Sequence, residues 1–260
     1  MSQKKQNNSL ESGFQKIVRR ARRKLRIPAS PPSIDGRMQS ICEKVRSEKI
    51  TYLSVQRLQS IVWLLEDINK QGVAGDLIEA GCALGGSAIV LTASKGSQRK
   101  LSIYDTFEMI PPPGPKDGPD VHRRYEKIAK GEAKGIGGDD DYYGYRDDIP
   151  DQVRASFKSH GYPVDESGVS MVKGLVEDTL AVDGPICFAH VDVDWYSPVN
   201  CCLERIVPNL SVGGAIVLDD YLDWSGCNEA ANDFFNSPIK NEFSFHARYG
   251  HLVIRRVKAS

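Results

Sequence analysis

Two apolar runs in the second half of the chain each end in paired aspartates. Ile186–Val191 leads into Asp192-Val193-Asp194, and Ala215–Leu218 leads into Asp219-Asp220. Both runs contain β-branched residues and follow glycine-containing turn signals, a pattern typical of buried strands. Because the carboxyl ends of parallel strands meet at one edge of a sheet, the two aspartate pairs are predicted to lie together there.

A group of carboxylates at an apolar sheet edge needs a neutralising partner. Burial and mutual repulsion both penalise the charged form of each carboxylate. A hard divalent cation bound through oxygen ligands removes that penalty. The aspartate pairs therefore predict a metal site.

Predicted strands and helices alternate along the chain, and this order defines the fold class. Helices are predicted at 38–48, 52–70, 85–94 and 152–160, and strands at 76–79, 100–104 and 169–173. The two aspartate-ended strands follow, and residues 242–255 predict a closing antiparallel hairpin. We predict an α/β domain with a mainly parallel sheet, helices on both faces and an N-terminal helical appendage.

Residues 1–35 are predicted to form a basic, mobile arm, and residues 36–260 a single domain. Lys16–Arg26 is strongly basic and fits an amphipathic helix, so contact with a membrane surface or a partner is the alternative. Over the whole chain 34 basic residues balance 34 acidic ones. No net field favours nucleic acid, and we expect no nucleic-acid partner.

The cysteines and the apolar stretches indicate the cellular compartment. The six cysteines show no Cys-x-x-Cys spacing, so we predict buried free thiols and no zinc site. The sequence shows no signal-peptide core and no apolar stretch of membrane-spanning length. We therefore predict a cytoplasmic protein without a membrane anchor.

A long irregular segment interrupts the alternation at residues 108–150. A loop of this length inside a domain is typically a functional lid or a disordered insertion. A short helical piece is expected near His122–Lys130. Asp139–Tyr145 does not match a calcium-binding loop, which leaves a solvated loop or a lid that uses its tyrosines.

A glycine-rich turn, Glu79–Ser87, follows the first predicted strand. Its glycines permit close approach of the backbone to a ligand, although a purely structural tight turn is the alternative. It matches neither the dinucleotide fingerprint nor a P-loop. Asp105, which ends the next strand, is placed to bond the ribose of a nucleoside. Because Glu79 would repel a pyrophosphate but suit an ammonium group, the pair favours S-adenosylmethionine over a dinucleotide.

Five segments follow one another along the chain: Gly75–Gly86, Tyr104–Glu108, Val172–Leu180, His190–Tyr196 and Ser211–Tyr221. In this order they resemble the macrocin O-methyltransferase (TylF/MycF-type) family over about residues 50–235. The resemblance implies a Rossmann-like methyltransferase fold that uses S-adenosylmethionine and magnesium to methylate sugar hydroxyls of natural products.

The resemblance also assigns residues to the two cofactors. Asp192, Asp219 and Asp220 are expected to bind Mg²⁺ or another divalent cation. The expected S-adenosylmethionine contacts are Glu79, Gly81, Gly85, Gly86 and Ser87 at the methionine end, Asp105 at the ribose, Thr106 and Phe107 at the adenosine, and Gly174, Glu177 and Asp178 beside adenine.

Asp192 is also the predicted proton acceptor. Catechol-type methyltransferases place a lysine base three residues after the first metal aspartate, and this chain has Trp195 there. A carboxylate must therefore take the proton of the acceptor hydroxyl. Asp194 is interpreted as a helix cap or as a supporting group behind the ligands.

Histidines and aromatic residues flank the aspartates. His190 is interpreted as a core histidine, whereas His246 and His251 are candidates for reaching the site from its rim. An acceptor wall is predicted from the aromatic residues that follow the aspartates, with core packing as the alternative for the first of them. The candidates are Trp195, Tyr196, Tyr221 and Trp224.

The predicted function is metal-dependent O-methylation of a sugar or a glycosylated natural product by S-adenosylmethionine. A catechol or other vicinal diol is the alternative acceptor, because it needs the same metal. Two further hypotheses are a non-catalytic nucleoside-binding protein of the same fold and a nucleotide-sugar or dinucleotide enzyme. The expected partner is a small-molecule glycoside, and the apolar N-terminal helices leave a homo-oligomer open.

Overall fold

The computed structural model of the chain describes residues 31–138 and 140–258. The basic segment Lys16–Arg26, with its predicted amphipathic helix, lies outside the described residues. The description begins at the end of the predicted arm, just before the first helix of the domain.

The strands of the described residues form one sheet. They are β1 (Asp76–Ala80), β2 (Leu101–Asp105), β3 (Val169–Lys173), β4 (Ile186–Val191), β5 (Leu210–Leu218), β6 (Phe243–Arg248) and β7 (His251–Arg256). Their order in the sheet is β3-β2-β1-β4-β5-β7-β6. Neighbours from β3 to β5 run parallel, whereas β7 is antiparallel to both β5 and β6. The predicted mainly parallel sheet with a C-terminal antiparallel hairpin is confirmed.

Helices cover both faces of this sheet. They are α1 (Gly36–Ser47), α2 (Val55–Lys70), α3 (Gly86–Ser94), α4 (Pro119–Ala129), α5 (Ile149–Ser159), α6 (Val176–Thr179), α7 (Tyr196–Ile206) and α8 (Ser225–Phe235). One apolar core joins α1, α2, α3 and α5 to one face, and a second joins α7 and α8 to the other. The appended helices α1 and α2 are held at their starts by side-chain caps from Asp35 and Ser54.

The order of the strands creates a crevice at the carboxyl ends of β1 and β4. The strands that follow β1, namely β2 and β3, are added on one side of it in the sheet. The strand that follows β4, β5, is added on the opposite side. Ligands of open α/β sheets bind at such a switch point. All six residues of β4 and the last five of β5 are buried. Their aspartates therefore emerge at this crevice.

The 108–150 insertion is docked against this edge. It contains α4 and a short 3₁₀ helix, Tyr143–Tyr145. The Trp195 indole N–H donates to the carbonyl of Pro111 (2.9 Å), and Asp117 accepts the backbone N–H of Tyr196 (2.8 Å). The insertion therefore forms part of the wall above the sheet.

All six cysteines are buried and free, as predicted. Within residues 31–138 and 140–258, no helix combines the length and the apolar character needed to cross a membrane.

Candidate active site

Two adjoining cavities open at the carboxyl ends of the parallel strands. The first cavity lies beside β2 and β3, where Asp105 and Glu177 line it. The second lies between β5, α2 and the insertion, where Arg57 and Trp224 line it. The cavities share a boundary formed by Gly81, Ile110, Tyr143, Asp192 and Asp194.

Asp192, Asp219 and Asp220 meet at this boundary. Each offers one carboxylate oxygen, and these three oxygens lie within 4.8 Å of one another. Asp219 and Asp220 are only 3% and 6% exposed. Burial and the charges of neighbouring carboxylates raise the pKa of Asp192 and Asp220 well above the usual range. The structure thus brings together the three carboxylates that the sequence predicted as metal ligands.

The donor set of this cluster fits a hard divalent cation. Asp219 Oδ1 is buried without a hydrogen-bond partner. Clustered carboxylate oxygens are the ligands that Mg²⁺ and similar cations take. The residues present therefore match the predicted cation.

Arg57, on the first turn of α2, contacts the same cluster. Its guanidinium donates to Asp219 Oδ2 and Asp223 Oδ2, each at 2.6 Å, and to the carbonyl of Gly250 at 2.9 Å. Burial alone would raise the pKa of Asp219, but interactions with two histidines and with Arg57 hold that pKa below its usual value. The two histidines and Arg57 together keep Asp219 ionised, and Arg57 also orients its carboxylate.

A buried polar chain runs behind Asp219 and involves both histidines. His190 Nδ1 lies 2.9 Å from Glu79 Oε1, and His190 Nε2 lies 4.0 Å from Asp219 Oδ1. On the other side, His251 Nδ1 is 3.6 Å from Asp219 Oδ1, and its Nε2 is 2.9 Å from Ser60 Oγ. Although burial lowers it, the two carboxylates raise the pKa of His190 to about 9.

Glu79 belongs to this buried polar chain and lines neither of the two cavities. The sequence placed Glu79 at the methionine end of the cofactor, but its side chain is fully buried and bonded to His190. The reason is its position inside β1, where the side chain points into the layer that also holds His190. His190 is a core histidine, as predicted, and His251 reaches Asp219 from behind, whereas His246 lies away from it, in a separate cavity.

Glu79→Gln is expected to destabilise the fold by about 3 kcal/mol, because it removes one partner of a buried charged pair while keeping its size. Denaturant unfolding followed by circular dichroism measures this change. The matched control is Glu66→Gln, whose partner Lys70 is largely exposed. That control should stay within about 0.5 kcal/mol of the parent. Equal losses in the two variants would contradict the buried pairing.

The glycine turn after β1 divides into a part that lines the cavities and a part that packs. Gly81 has a φ of +82°, and a Cβ there would lie 1.9 Å from the carbonyl oxygen of Asp192. Gly85 precedes α3 with a φ of +89° and packs against Val153. Gly86 donates its N–H to the carbonyl of Ile50 (2.9 Å).

Of the predicted cofactor residues in this turn, Gly81 lines the two cavities. Gly86 and Ser87 are buried in the first turn of α3. Gly85, Gly86 and Ser87, which were predicted at the methionine end, line neither of these two cavities. They shape the turn and its packing instead of forming the cavity wall.

Asp105, the residue predicted to bond a ribose, lies at the wall of the first cavity. Its Oδ2 accepts the backbone N–H of Cys82, and its Oδ1 accepts that of Phe107, both at 2.7 Å. Each carboxylate oxygen has a second lone pair, so these bonds leave acceptor capacity for a ligand hydroxyl. Asp105 therefore ties together the turns that follow β1 and β2.

The residues predicted on the adenosine side occupy different environments. Thr106, Gly174 and Glu177 line the first cavity, and Glu177 is held by the hydroxyl of Ser197 (2.9 Å). Phe107 is instead buried in the core with a φ of +49°. Asp178 lies on the exposed side of α6. Phe107 and Asp178 thus do not line the cavity.

Asp194 lies at the boundary of the two cavities, and its interpretation as a helix cap is wrong. The residue preceding α7 is Trp195, and the first N–H of that helix, from Tyr196, bonds Asp117 instead. Asp194 has a φ of +54°. Such strained non-glycine residues cluster at functional sites. Burial raises the pKa of Asp194 to about 7, and the charge of Arg124 opposes that shift.

Aromatic residues line the second cavity, but not all of those predicted. Trp195 and Trp224 line it, with ring centroids 6.1 Å apart at 75°. Tyr221 is buried in the core, and Tyr196 instead bonds Asp233 (2.7 Å). Two of the four predicted aromatic residues therefore line this cavity.

The insertion supplies the rest of that wall. Tyr142 and Tyr143 line the second cavity, and their rings lie 4.6 Å apart. The hydroxyl of Tyr145 donates to the carbonyl of Ile128 (2.6 Å), which anchors the tyrosine segment to α4. Asp139 is outside the described residues.

Arg57, Arg124 and Glu108 are among the cavity residues to which the sequence prediction gave no role. Arg57 and Arg124 are charged residues on amphipathic helices, where a solvated side chain is the ordinary expectation. Glu108 ends the Tyr104–Glu108 motif and lines the first cavity. The motif signalled Glu108, but no local pattern links Arg57 to Asp219, 162 positions away.

Comparisons with known proteins agree with this geometry. The family model for macrocin O-methyltransferase (TylF) matches residues 2–242. An 8-demethyl-8-(2,3-dimethoxy-α-L-rhamnosyl)-tetracenomycin-C 4′-O-methyltransferase from Streptomyces olivaceus is 31% identical over 191 residues, covering 71% of this chain and 67% of that protein. The demethyldecarbamoylnovobiocin O-methyltransferase of Streptomyces niveus is 27% identical, covering 80% and 78%.

The fold matches a solved methyltransferase. The structure of the O-methyltransferase NovP superposes with a TM-score of 0.65 at 22% identity, covering 94% of this chain and 96% of that one. The family match spans nearly the whole chain and includes both aspartate-ended strands. The chain therefore belongs to the macrocin O-methyltransferase family and is an S-adenosylmethionine-dependent O-methyltransferase.

Proposed function

We propose that this enzyme methylates a hydroxyl of a sugar or a glycosylated small molecule and requires a divalent cation, Mg²⁺ or a similar ion. The observation that carries the proposal is the position of Asp192, Asp219 and Asp220 near the boundary of two adjoining cavities. The names of the matched relatives specify a rhamnosyl-tetracenomycin and a demethyldecarbamoylnovobiocin, which supports a glycosidic acceptor.

The first cavity suits S-adenosylmethionine, which supplies the electrophilic methyl group. The acceptor groups of Asp105 and Glu108 in its wall match the two hydroxyls of a ribose. Gly174, at the end of β3, has a φ of +139° and brings its backbone against the cavity beside Glu177. Gly81 lies at the boundary and has no side chain, so the reacting end of a ligand can approach Asp192 there.

The second cavity suits the acceptor. Trp224 and Tyr142 offer apolar ring faces and polar tips, which pack against a sugar ring and bond its hydroxyls. Arg124 adds a donor on the side of Asp194. Holding the acceptor oxygen in line with the methyl group at about 3–3.5 Å provides much of the rate enhancement.

A cation held by Asp192, Asp219 and Asp220 would act as a Lewis acid toward the acceptor hydroxyl. The proton then needs a carboxylate. Asp192 was the sequence-based choice, but as a ligand it would give one of its two oxygens to the cation. Asp194 lines both cavities and is outside the cluster of three. We therefore propose Asp194 as the acceptor of the proton and keep Asp192 as the alternative.

Calorimetry on the full chain tests the two binding assignments. We expect saturable binding of S-adenosylmethionine but not of NAD, because the acidic boundary of the cavities disfavours a pyrophosphate. We also expect saturable binding of Mg²⁺ or Mn²⁺ to protein stripped with chelator. Binding of NAD without S-adenosylmethionine, or no cation binding by the stripped protein, would contradict the proposal.

A further inference from the structure

A third cavity lies outside the proposed site, between α2 and the β6–β7 hairpin. We call it the hairpin cavity. Its walls are Ser60, Trp63, Leu64, His246, Arg248, Tyr249, His251, Val253 and Arg255. Trp63, Leu64 and Val253 make part of the surface apolar, while the two arginines bring positive charge. The methyl-transfer chemistry uses neither of these arginines.

The register of the hairpin explains why the basic groups converge. Arg248 pairs with His251 across the strands, and His246 pairs with Val253. Alternate residues of a strand share a face, so His246, Arg248 and Arg255 all point to the face that α2 covers. Burial lowers the pKa of His246, and the charges of Arg248 and Arg255 lower it further. The three groups are therefore close neighbours.

Several side-chain nitrogens in this cavity are buried without a partner. His246 Nδ1, Arg248 Nε and Arg255 Nη2 have no hydrogen bond. Arg255 is partly neutralised, because its Nη1 lies 2.5 Å from Asp67 Oδ2 and its Nε donates to the carbonyl of Gly213. Among the described residues, no carboxylate forms an ion pair with Arg248. The cavity therefore holds one uncompensated guanidinium beside unsatisfied N–H groups.

Unpaired buried donors are costly, and an oxyanion satisfies them best, since a guanidinium binds carboxylate or phosphate oxygens with two N–H groups. We propose that the hairpin cavity is a second ligand site that binds an oxyanion carried on an apolar or aromatic body. Arg248 and Arg255 contact the oxyanion, and Trp63 and Leu64 contact the body. This site is separate from the cavities of methyl transfer.

Titration calorimetry with three probes tests the proposal: sodium benzoate, inorganic phosphate and neutral benzamide. We expect benzoate to bind and benzamide not to, with phosphate weaker than benzoate because it lacks the apolar body. Proton–nitrogen NMR of the Trp63 indole, identified with Trp63→Phe, reports whether benzoate enters this cavity. Benzoate that leaves the Trp63 signal unmoved, or phosphate that binds as well as benzoate, would overturn the assignment.

Arg248→Gln should weaken benzoate binding about tenfold or more, the loss typical of a charge-assisted hydrogen bond. His246→Gln is a second, smaller change at the same wall and should also weaken it. Arg154→Gln is the matched control, because Arg154 is an exposed arginine paired with the exposed Asp165. Unchanged benzoate affinity in Arg248→Gln and His246→Gln, or an equal loss in Arg154→Gln, would overturn the proposal.

Discussion

Asp194→Asn is expected to lower kcat by about 100-fold or more, the usual contribution of a general base, while cation affinity stays near that of the parent. The physical reason is that Asp194 is proposed to accept the proton, whereas the three clustered aspartates are proposed to bind the cation. Asp194 lines both cavities but is outside the cluster whose oxygens lie within 4.8 Å. An amide keeps its size and cannot accept the proton of the acceptor hydroxyl.

Asp192→Asn is the variant to compare with Asp194→Asn, because it separates loss of cation binding from loss of the base. Because Asp192 is in the cluster, its loss should weaken cation binding and turnover together. Asp223→Asn serves as the control, since Asp223 shares Arg57 with Asp219 but is not in the cluster. Calorimetry gives the cation affinity, and initial rates at saturating cation give kcat. If the kcat of Asp194→Asn stays near that of the parent, Asp192 and not Asp194 accepts the proton.

Gly81→Ala is expected to have the largest effect on the fold and on cofactor binding. A Cβ at this position would lie 1.9 Å from the carbonyl oxygen of Asp192, so the ends of β1 and β4 must separate. Overpacking of this kind costs about 1–3 kcal/mol, in addition to the strain of the left-handed backbone. The shift displaces Asp192, so affinity for S-adenosylmethionine and for the cation should also fall.

Gly96→Ala isolates the contribution of the clash. Gly96 has the same φ of +82°, but nothing lies within 4 Å of an added Cβ. Its substitution should cost only the backbone strain, about 1–2 kcal/mol, and leave both ligand affinities unchanged. Denaturant unfolding and calorimetry on the two variants measure the difference. Equal stability loss and intact ligand binding in both would contradict the close approach of β1 and β4.

The sequence predicted the sheet and the convergence of the three aspartates because both follow from local patterns. Apolar runs identify β4 and β5, and the geometry of parallel strands places Asp192 beside Asp219 and Asp220. Asp105 was predicted by the same reasoning, from its position at the end of β2. In each case a strand end determines which way the side chain emerges.

The sequence failed where the direction of a side chain depends on packing between layers. Glu79 was assigned to the cofactor because it precedes a glycine turn, yet within β1 it faces His190. Phe107 fills the core, although it stands inside the Tyr104–Glu108 motif. Arg57 reaches Asp219 across 162 positions of sequence. Contacts of such long range have no signature in a single sequence.

Methyl transfer from labelled S-adenosylmethionine to a panel of glycosides and catechols tests the central claim most directly. The assay uses protein stripped with chelator, before and after Mg²⁺ is restored. We predict that the enzyme methylates a sugar hydroxyl. This activity should be absent from the stripped enzyme and should return when the cation is restored. Undiminished transfer in chelator, or methylation of catechols but of no glycoside, would contradict the account.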